Sequence, residues 1–375
     1  FDKFFFLGRI YCITMSHTRA LIATKKQSSS KLHCSFVVVP RFNMATLVSL
    51  IEPMRVANYL SSREVYSWEV VSFEGPVVTA SNGLQVSTHV PSESVVKSDM
   101  IFVVGSWGCE RFARRKLTAW IRQQYALGKK IISVELGCYI LARAGLLSGK
   151  TLTTHWSWIP GFEEQFPDIE VNEKLYIMDE KIISCAGGFS GVDMMLQIIS
   201  DHQGVRLSGE IADQMLYYPI RPGHSPQRRI LGRGNENLLP MVSKAIEFIE
   251  KNISEPPTVP EISSFVGLSQ RQLERQFKKS IGCSVVQFAL LARLQYSRVL
   301  LTATDLSVRE IATASGFNTL SHFAYAFKNC FNRKPSAYRQ AWPDTESAPS
   351  WPGTLSKYLE SLERKTRNSE QSKKM

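Results

Sequence analysis

The chain has 375 residues, a formal net charge of +12 and 44% hydrophobic residues, enough for two or three domains with a sizeable core. It holds no apolar run of membrane-spanning length, which argues against a helical membrane protein. Its seven cysteines (12, 34, 109, 138, 185, 283 and 330) are odd in number, scattered and never spaced C-x-x-C; a disulfide framework and a thiolate metal site are both disfavoured, and a reducing cytoplasm fits best.

Residues 1–32 open on an apolar F-F-F-L-G-R-I-Y-C-I but lack a small-residue cleavage site. They read as a poorly ordered N-terminal extension. Residues 34–40 (C-S-F-V-V-V-P) form the first expected buried strand. Residues 45–60 follow with helical spacing, placing Leu47, Leu50, Ile51, Met54 and Ala57 on one side. Further strands are expected at 67–73, 99–105, 130–134 and 181–185, and helices at 110–127, 138–147 and 192–203. Short apolar strands alternating with helices predict a parallel, doubly wound α/β sheet over residues 33–220. Residues 221–237 turn rich in Pro, Gly and Arg and read as a linker.

From 238 to 342 the pattern is helical throughout, and part of it is said twice. Val259, Ile262 and Gly267 pair with Val308, Ile311 and Gly316 at one offset. Leu273 and Phe277 pair with Phe323 and Phe327 at an offset one residue longer, so the second turn carries an insertion. Each copy has an apolar helix, a glycine able to take positive φ, and a second amphipathic helix, the sequence of a helix-turn-helix. Two such units offer two helices to two major-groove segments of one duplex. Ser269 and Gln272 fit a capping box, so a helix begins there. With Leu273 and Phe277 facing the core, Arg271, Glu274, Arg275 and Lys278 face outward, and Arg and Glu side chains suit guanine and cytosine edges. In the second copy Thr319, Ser321, His322 and Tyr325 face outward. Eleven basic residues against four acids in the repeated stretch from Val259 to Arg339, Arg293, Arg298 and Arg339 among them, favour a polyanionic partner. Residues 343–375 read as a charged, solvated tail.

G-L-S-Q-R-Q-L-E-R-Q-F-K, A-R-L-Q-Y-S-R-V-L-L, I-A-T-A-S-G-F-N-T-L-S-H-F-A-Y-A-F-K and P-S-A-Y-R resemble the AraC/XylS-type DNA-binding domain. The resemblance implies two helix-turn-helix units joined by a long helix, here about residues 284–301. Val285 stands in place of the usual Pro, Asn332 of the usual Gly, and Tyr325 where the family often has Arg.

The strand at 130–134 running into E-L-G-C-Y-I-L, followed by T-T-H-W, resembles the strand-to-helix elbow of the class I glutamine amidotransferase-like superfamily, the ThiJ/PfpI group, whose fold is flavodoxin-like. There the elbow nucleophile is Cys; here Glu135 takes that place, and Cys138 lies beyond the glycine. The whole stretch from about Ser35 to Arg339 is similar to the GlxA family of AraC-type regulators, in which the first domain senses a small ligand such as carnitine, glycine betaine or arginine. The residues themselves point to a ligand site at the strand C-termini. Glu52 and Glu135 supply carboxylates, Trp107 and Trp156 ring faces, and His155 and Cys138 lie close in sequence; carboxylate and indole suit a cationic amine. The chain is therefore expected to be a non-enzymatic, ligand-responsive transcription regulator. Its expected partners are promoter DNA, a small cationic effector and a second copy of itself, with no membrane, metal or cofactor. The alternative is a ThiJ/PfpI-type amidase, hydratase or deglycase acting through Cys138 and His155.

Overall fold

The computed structural model describes residues 30–89, 98–112, 114–227 and 239–341. The expectations for residues 1–29, for 228–237 of the linker and for the tail lie outside them. The chain begins with β1 (Leu32–Val38), α1 (Met44–Ser61), β2 (Tyr66–Val71) and a small hairpin of β3 (Val77–Thr79) and β4 (Gln85–Ser87). It continues with β5 (Met100–Gly105), α2 (Arg115–Ala126), β6 (Lys130–Glu135), α3 (Gly137–Arg143) and β7 (Thr151–Leu152). After a short turn of helix at Trp156–Trp158 come α4 (Ile159–Gln165), β8 (Glu170–Val171), β9 (Tyr176–Ile177), β10 (Ile182–Cys185), α5 (Ser190–Gln203) and α6 (Val205–Gln214).

The main sheet has the order β2-β1-β5-β6-β10-β9. The first five strands run parallel, as expected; β9 is antiparallel at the edge, a departure from the all-parallel expectation. The strands read as continuous apolar runs because both faces are covered. Phe36, Val38, Phe102, Val104, Ile132 and Val134 pack beneath α1, α5 and α6. Their neighbours Val37, Ile101, Val103 and Ile131 pack on the opposite face with α2, α3 and Phe162 of α4. Helix α2 starts later than its periodicity suggested. Residues 106–112 turn instead, because the Arg143 guanidinium takes the carbonyls of Cys109, Glu110 and Phe112, and the Glu110 carboxylate accepts from Gly108 N–H at 2.8 Å.

The second half is helical: α7 (Pro240–Lys251), α8 (Val259–Phe265), α9 (Gln270–Ile281), α10 (Val285–Ala303), α11 (Val308–Ala314), α12 (Leu320–Phe331) and α13 (Pro335–Ala341). Capping boxes at Thr258, Ser269, Ser284 and Ser307 start four of these helices, satisfying backbone N–H groups that the first turn leaves free. Two cores form. Val285 and Phe288 of α10 join the core of α7, α8 and α9, whereas Leu291, Leu294, Leu300 and Leu301 join that of α11, α12 and α13. One helix is thus shared by both units. The extra residue in the second copy lies in its turn: Ser269 caps α9 two positions after Gly267, and Thr319 caps α12 three after Gly316. Asn332 takes the left-handed conformation at φ 58° that Gly282 takes at 84° in the first copy, which Asn tolerates through its short polar side chain.

The first part of the linker is strapped to the α/β domain. Arg221 lays two guanidinium nitrogens on the fully buried Asp193 carboxylate at 2.6 and 3.0 Å, a charge-assisted pairing with Tyr217 donating to the same oxygen at 2.8 Å. Gln227 donates to the carbonyls of Thr154 and Lys174 and accepts from Trp156 N–H at 2.7 Å.

The two helix-turn-helix glycines make different demands. Gly267 sits at φ 69° with open space where a Cβ would be, whereas a Cβ on Gly316, at φ 73°, would lie 2.5 Å from the Ile253 carbonyl. Gly267→Ala should cost about 1 kcal/mol for the left-handed conformation alone, and Gly316→Ala about 3 kcal/mol because the backbone of the α7–α8 loop must also move. Urea midpoints of the full chain followed by helical circular dichroism check the order; equal shifts would contradict it.

Candidate functional site

At the C-terminal edge of the parallel sheet, a cavity of about 330 Å³ is lined by Asn43, Ser81, Ser106, Trp107, Glu135, His155, Ser157, Trp158, Arg298, Val299 and Thr302. Asn43 follows β1, Ser106 and Trp107 follow β5, and Glu135 ends β6. Between β1 and β5 the strand order reverses direction, the crevice where open α/β sheets gather ligands.

Glu135 is the centre of this site. The elbow holds it at φ 56°, a left-handed conformation that a non-glycine residue adopts only under constraint. Glycines surround it. A Cβ on Gly187 would meet the Glu135 side chain at 2.6 Å, one on Gly137 would meet the Val103 carbonyl at 2.1 Å, and one on Gly105 would meet Gly137 N at 2.9 Å. The carboxylate is 4% exposed. Thr46 donates its hydroxyl to Oε2 and Ser106 to Oε1, each at 2.8 Å. Burial outweighs these donors and the Asn43 side chain, pushing the carboxyl up to about 7.

Of the sequence-derived ligand residues, the structure brings Trp107, Glu135 and His155 to the cavity wall and leaves three away from it. Glu52 sits mid-way along α1, where it pairs with Arg55 at 2.7 Å on the solvent side; the helix begins at Met44, so Glu52 is more than two turns from the sheet edge. Trp156 and Trp158 share a tight helical turn of about three residues per turn, which points them apart, and it is Trp158 that lines the cavity. Cys138 lies beneath the elbow, fully buried, with its thiol 3.3 Å from Thr154 Oγ1. Burial pushes that thiol up to about 12, the opposite of the activation a nucleophile requires. His155 Nδ1 lies 2.8 Å from Ser157 Oγ, its near neighbour in the cavity wall.

The residues that sequence reasoning missed divide in two. Asn43 caps α1 by accepting from Ala45 N at 3.0 Å, and an Asn before an apolar-periodic run is a legible helix start. Arg298, Val299 and Thr302 belong to α10 and carry no local sign of their role. Helix α10 lies against α4: a Cβ on Gly161 would be 2.4 Å from Ala303 Cβ, and Gln165 donates to the Ala303 carbonyl. Val299 and Ala303 are part of the α/β domain core.

In the helical half, Arg271, Arg275 and Lys278 of α9 are exposed. Glu274 is only partly so, because its carboxylate accepts from Val285 N–H at 3.3 Å and braces the start of α10. Thr319, Ser321, His322 and Tyr325 of α12 are exposed, Tyr325 by 66%. Thr319 is the α12 cap, accepting from His322 N–H at 3.2 Å, and the His322 ring stands edge-on to Phe317. Three basic side chains counted toward the DNA-facing excess are used internally instead. Arg293 stacks on Phe317 at 4.0 Å and donates to the Ser315 and Gly316 carbonyls, Arg339 donates to those of Leu301 and Leu306, and Arg298 faces the cavity.

A paired helix-turn-helix joined to a doubly wound domain with a carboxylate at its elbow defines a DNA-binding regulator carrying an amidotransferase-like domain. Family comparison agrees on both halves: residues 37–201 match the DJ-1/PfpI family and residues 262–341 a helix-turn-helix domain. The chain is 32% identical over 317 residues to the HTH-type transcriptional regulator GbdR of Pseudomonas aeruginosa, covering 84% of this chain and 86% of that one. It is 33% identical over 322 residues to the regulator CdhR of the same organism, covering 85% and 94%. With the regulator GlxA of Rhizobium meliloti the identity is 28% over 320 residues, covering 85% and 99%. The chain belongs to this GlxA-type family of HTH-type transcriptional regulators and is a DNA-binding regulator rather than a ThiJ/PfpI-type enzyme.

Proposed function

We propose that the α/β domain senses a small cationic amine in the cavity at Glu135, and that α9 and α12 carry the response to two major-groove segments of a promoter. The observation that carries the effector assignment is the buried Glu135 carboxylate in a cavity that Trp107 and Trp158 also line. A carboxylate there attracts a cation, and indole faces add cation–π attraction in a site of low dielectric. The cavity offers no glycine-rich phosphate loop of the kind an anionic nucleotide would need. On the DNA side, support comes from Arg271, Arg275 and Lys278 standing exposed on one face of α9.

The effector assignment is tested by titrating the full chain with quaternary amines and basic amino acids. Because the carboxyl is pushed up to about 7, only its ionised form recruits a cation, and that form grows as pH rises. Affinity for a cationic effector should therefore climb roughly tenfold between about pH 6 and pH 8. Glu135→Gln should weaken binding and flatten that rise. Burial keeps the Cys109, Cys138 and Cys185 thiols protonated over this range. A Glu135→Gln protein that binds the same amine as tightly, with the same pH profile, would remove the assignment.

On the DNA side, Arg275→Ala should weaken specific promoter binding by about 1–3 kcal/mol and relax discrimination at one or two base positions. Gel shifts against a panel of single-base operator variants read both effects. Unchanged affinity and an unchanged footprint would mean that α9 does not read bases through this face.

A further inference from the structure

We propose that Glu274 of α9 is a positioning residue rather than a reader of bases. Its carboxylate ties the recognition helix to the start of α10, and so sets where Arg271 and Arg275 stand against DNA. The inference rests on the assignment of α9 to a major groove and adds what fixes that helix in place.

Helix α10 begins with a demand that its own cap does not meet. Ser284 and Gln287 close a capping box, which satisfies the N–H groups of those two residues. The Val285 N–H belongs to the first turn, where no intrahelical partner exists, and Val285 is fully buried in the first helix-turn-helix core. A buried N–H without a partner is costly. Glu274 Oε2 accepts it at 3.3 Å from a different helix. The carboxylate lies at the N-terminus of α10, where the helix dipole favours an anion. Its charge also bears on the neighbouring Cys283 thiol, which burial first and Glu274 second push up to about 11. Beside this bond the Phe277 and Phe288 rings meet edge-on across the same two helices. An apolar contact tolerates some rotation of α9 about its axis; a hydrogen bond to a fixed N–H does not. Arg275 is the next residue along, so any such rotation would move it.

The second helix-turn-helix supplies the comparison within the same chain. The offset that pairs Leu273 with Phe323 and Phe277 with Phe327 also pairs Glu274 with Ala324 and Val285 with Pro335. Pro335 opens α13 as Val285 opens α10, and both are buried. Proline has no N–H to satisfy, and Ala324 has no side-chain acceptor to offer. Donor and acceptor are both present in one unit and both absent from the other. A carboxylate kept for a base would have no reason to disappear together with that N–H. Exposure divides the face of α9 in the same way: Arg271, Arg275 and Lys278 are exposed, whereas Glu274 is half-buried.

The test is a double-mutant cycle in the full chain, read by gel shift on a DNA duplex selected from a random-sequence pool. Glu274→Ala should weaken specific binding roughly fivefold, and Glu274→Gln, which keeps an oxygen acceptor, should recover most of that loss. In a Val285→Pro chain, where no N–H remains to be held, Glu274→Ala should change affinity less than about twofold. Ser284 already lies at φ −74° and ψ 161°, the extended conformation that a following proline demands, and Pro335 fills the equivalent place in the second unit. Across single-base variants of the duplex, the Glu274→Ala loss should be uniform. An equal loss in both backgrounds overturns the proposal, as does a Glu274→Gln chain no better than Glu274→Ala. Loss of discrimination confined to one base pair, or no loss at all, overturns it too, and this panel decides even if Val285→Pro fails to fold. Hydrogen exchange at the Val285 amide without DNA should be faster in Glu274→Ala, and unchanged exchange overturns the brace itself. Arg275→Ala without effect on binding would instead remove α9 from the DNA interface, a failure that the exchange measurement tells apart.

Discussion

A carboxylate at the end of a central parallel strand, sealed from water, must either be met by donors or give up its charge. Glu135 stands between these outcomes. Two hydroxyls and an amide side chain approach it, yet burial still lifts its acidity to about 7. A buried charge so nearly balanced is expensive to keep without a purpose, and the proposed cationic effector would supply the missing compensation. The surrounding glycines exist for the same reason. Gly105, Gly137 and Gly187 leave room for a non-glycine residue to be held at positive φ with its side chain above the sheet. The backbone device that presents a nucleophile elsewhere here presents a charge.

Retaining the elbow while changing its residue converts chemistry into recognition. The nearby thiol cannot resume the lost role: Cys138 points below the turn, hydrogen-bonded in a region where its ionised form is disfavoured. The role proposed for the site is to hold a ligand and report that it is held. The report has a short path, because the cavity wall opposite Glu135 is a helix of the DNA-binding domain. That helix is also the common element of the two helix-turn-helix cores. The strap from Arg221 to Gln227 fixes the exit of the α/β domain beside the same cavity, through the Thr154 carbonyl and the Trp156 amide.

Sequence made the periodic features plain and the docked ones invisible. Buried parallel strands show as short apolar runs because both faces are covered, and the repeat shows because both units solve one packing problem with one spacing. Glu135 was legible since the elbow is local: strand, sharp turn and helix lie within a few residues. Glu52 was misplaced because a carboxylate on the helix after the first strand was assigned to the strand C-termini, whereas α1 carries it about two turns from the sheet edge. Trp158 was passed over for Trp156 because two tryptophans one residue apart in a tight turn cannot be told apart without knowing the turn's direction. The antiparallel β9 edge and the β3–β4 hairpin are too short to leave a periodic signal. Arg298 could not be found at all. On its own helix it looks like one more basic residue near DNA, and only the packing of α10 on α4 turns it toward the cavity.

The central proposal is that the cavity at the C-terminal edge of the sheet holds a cationic effector at Glu135. A crystal structure of the full chain grown with its tightest-binding amine tests this most directly. The account predicts the ligand's ammonium group beside Glu135, in the cavity that Trp107 and Trp158 also line. A ligand seated elsewhere, on the solvent face of α1 near Glu52 or outside the sheet edge altogether, would contradict it.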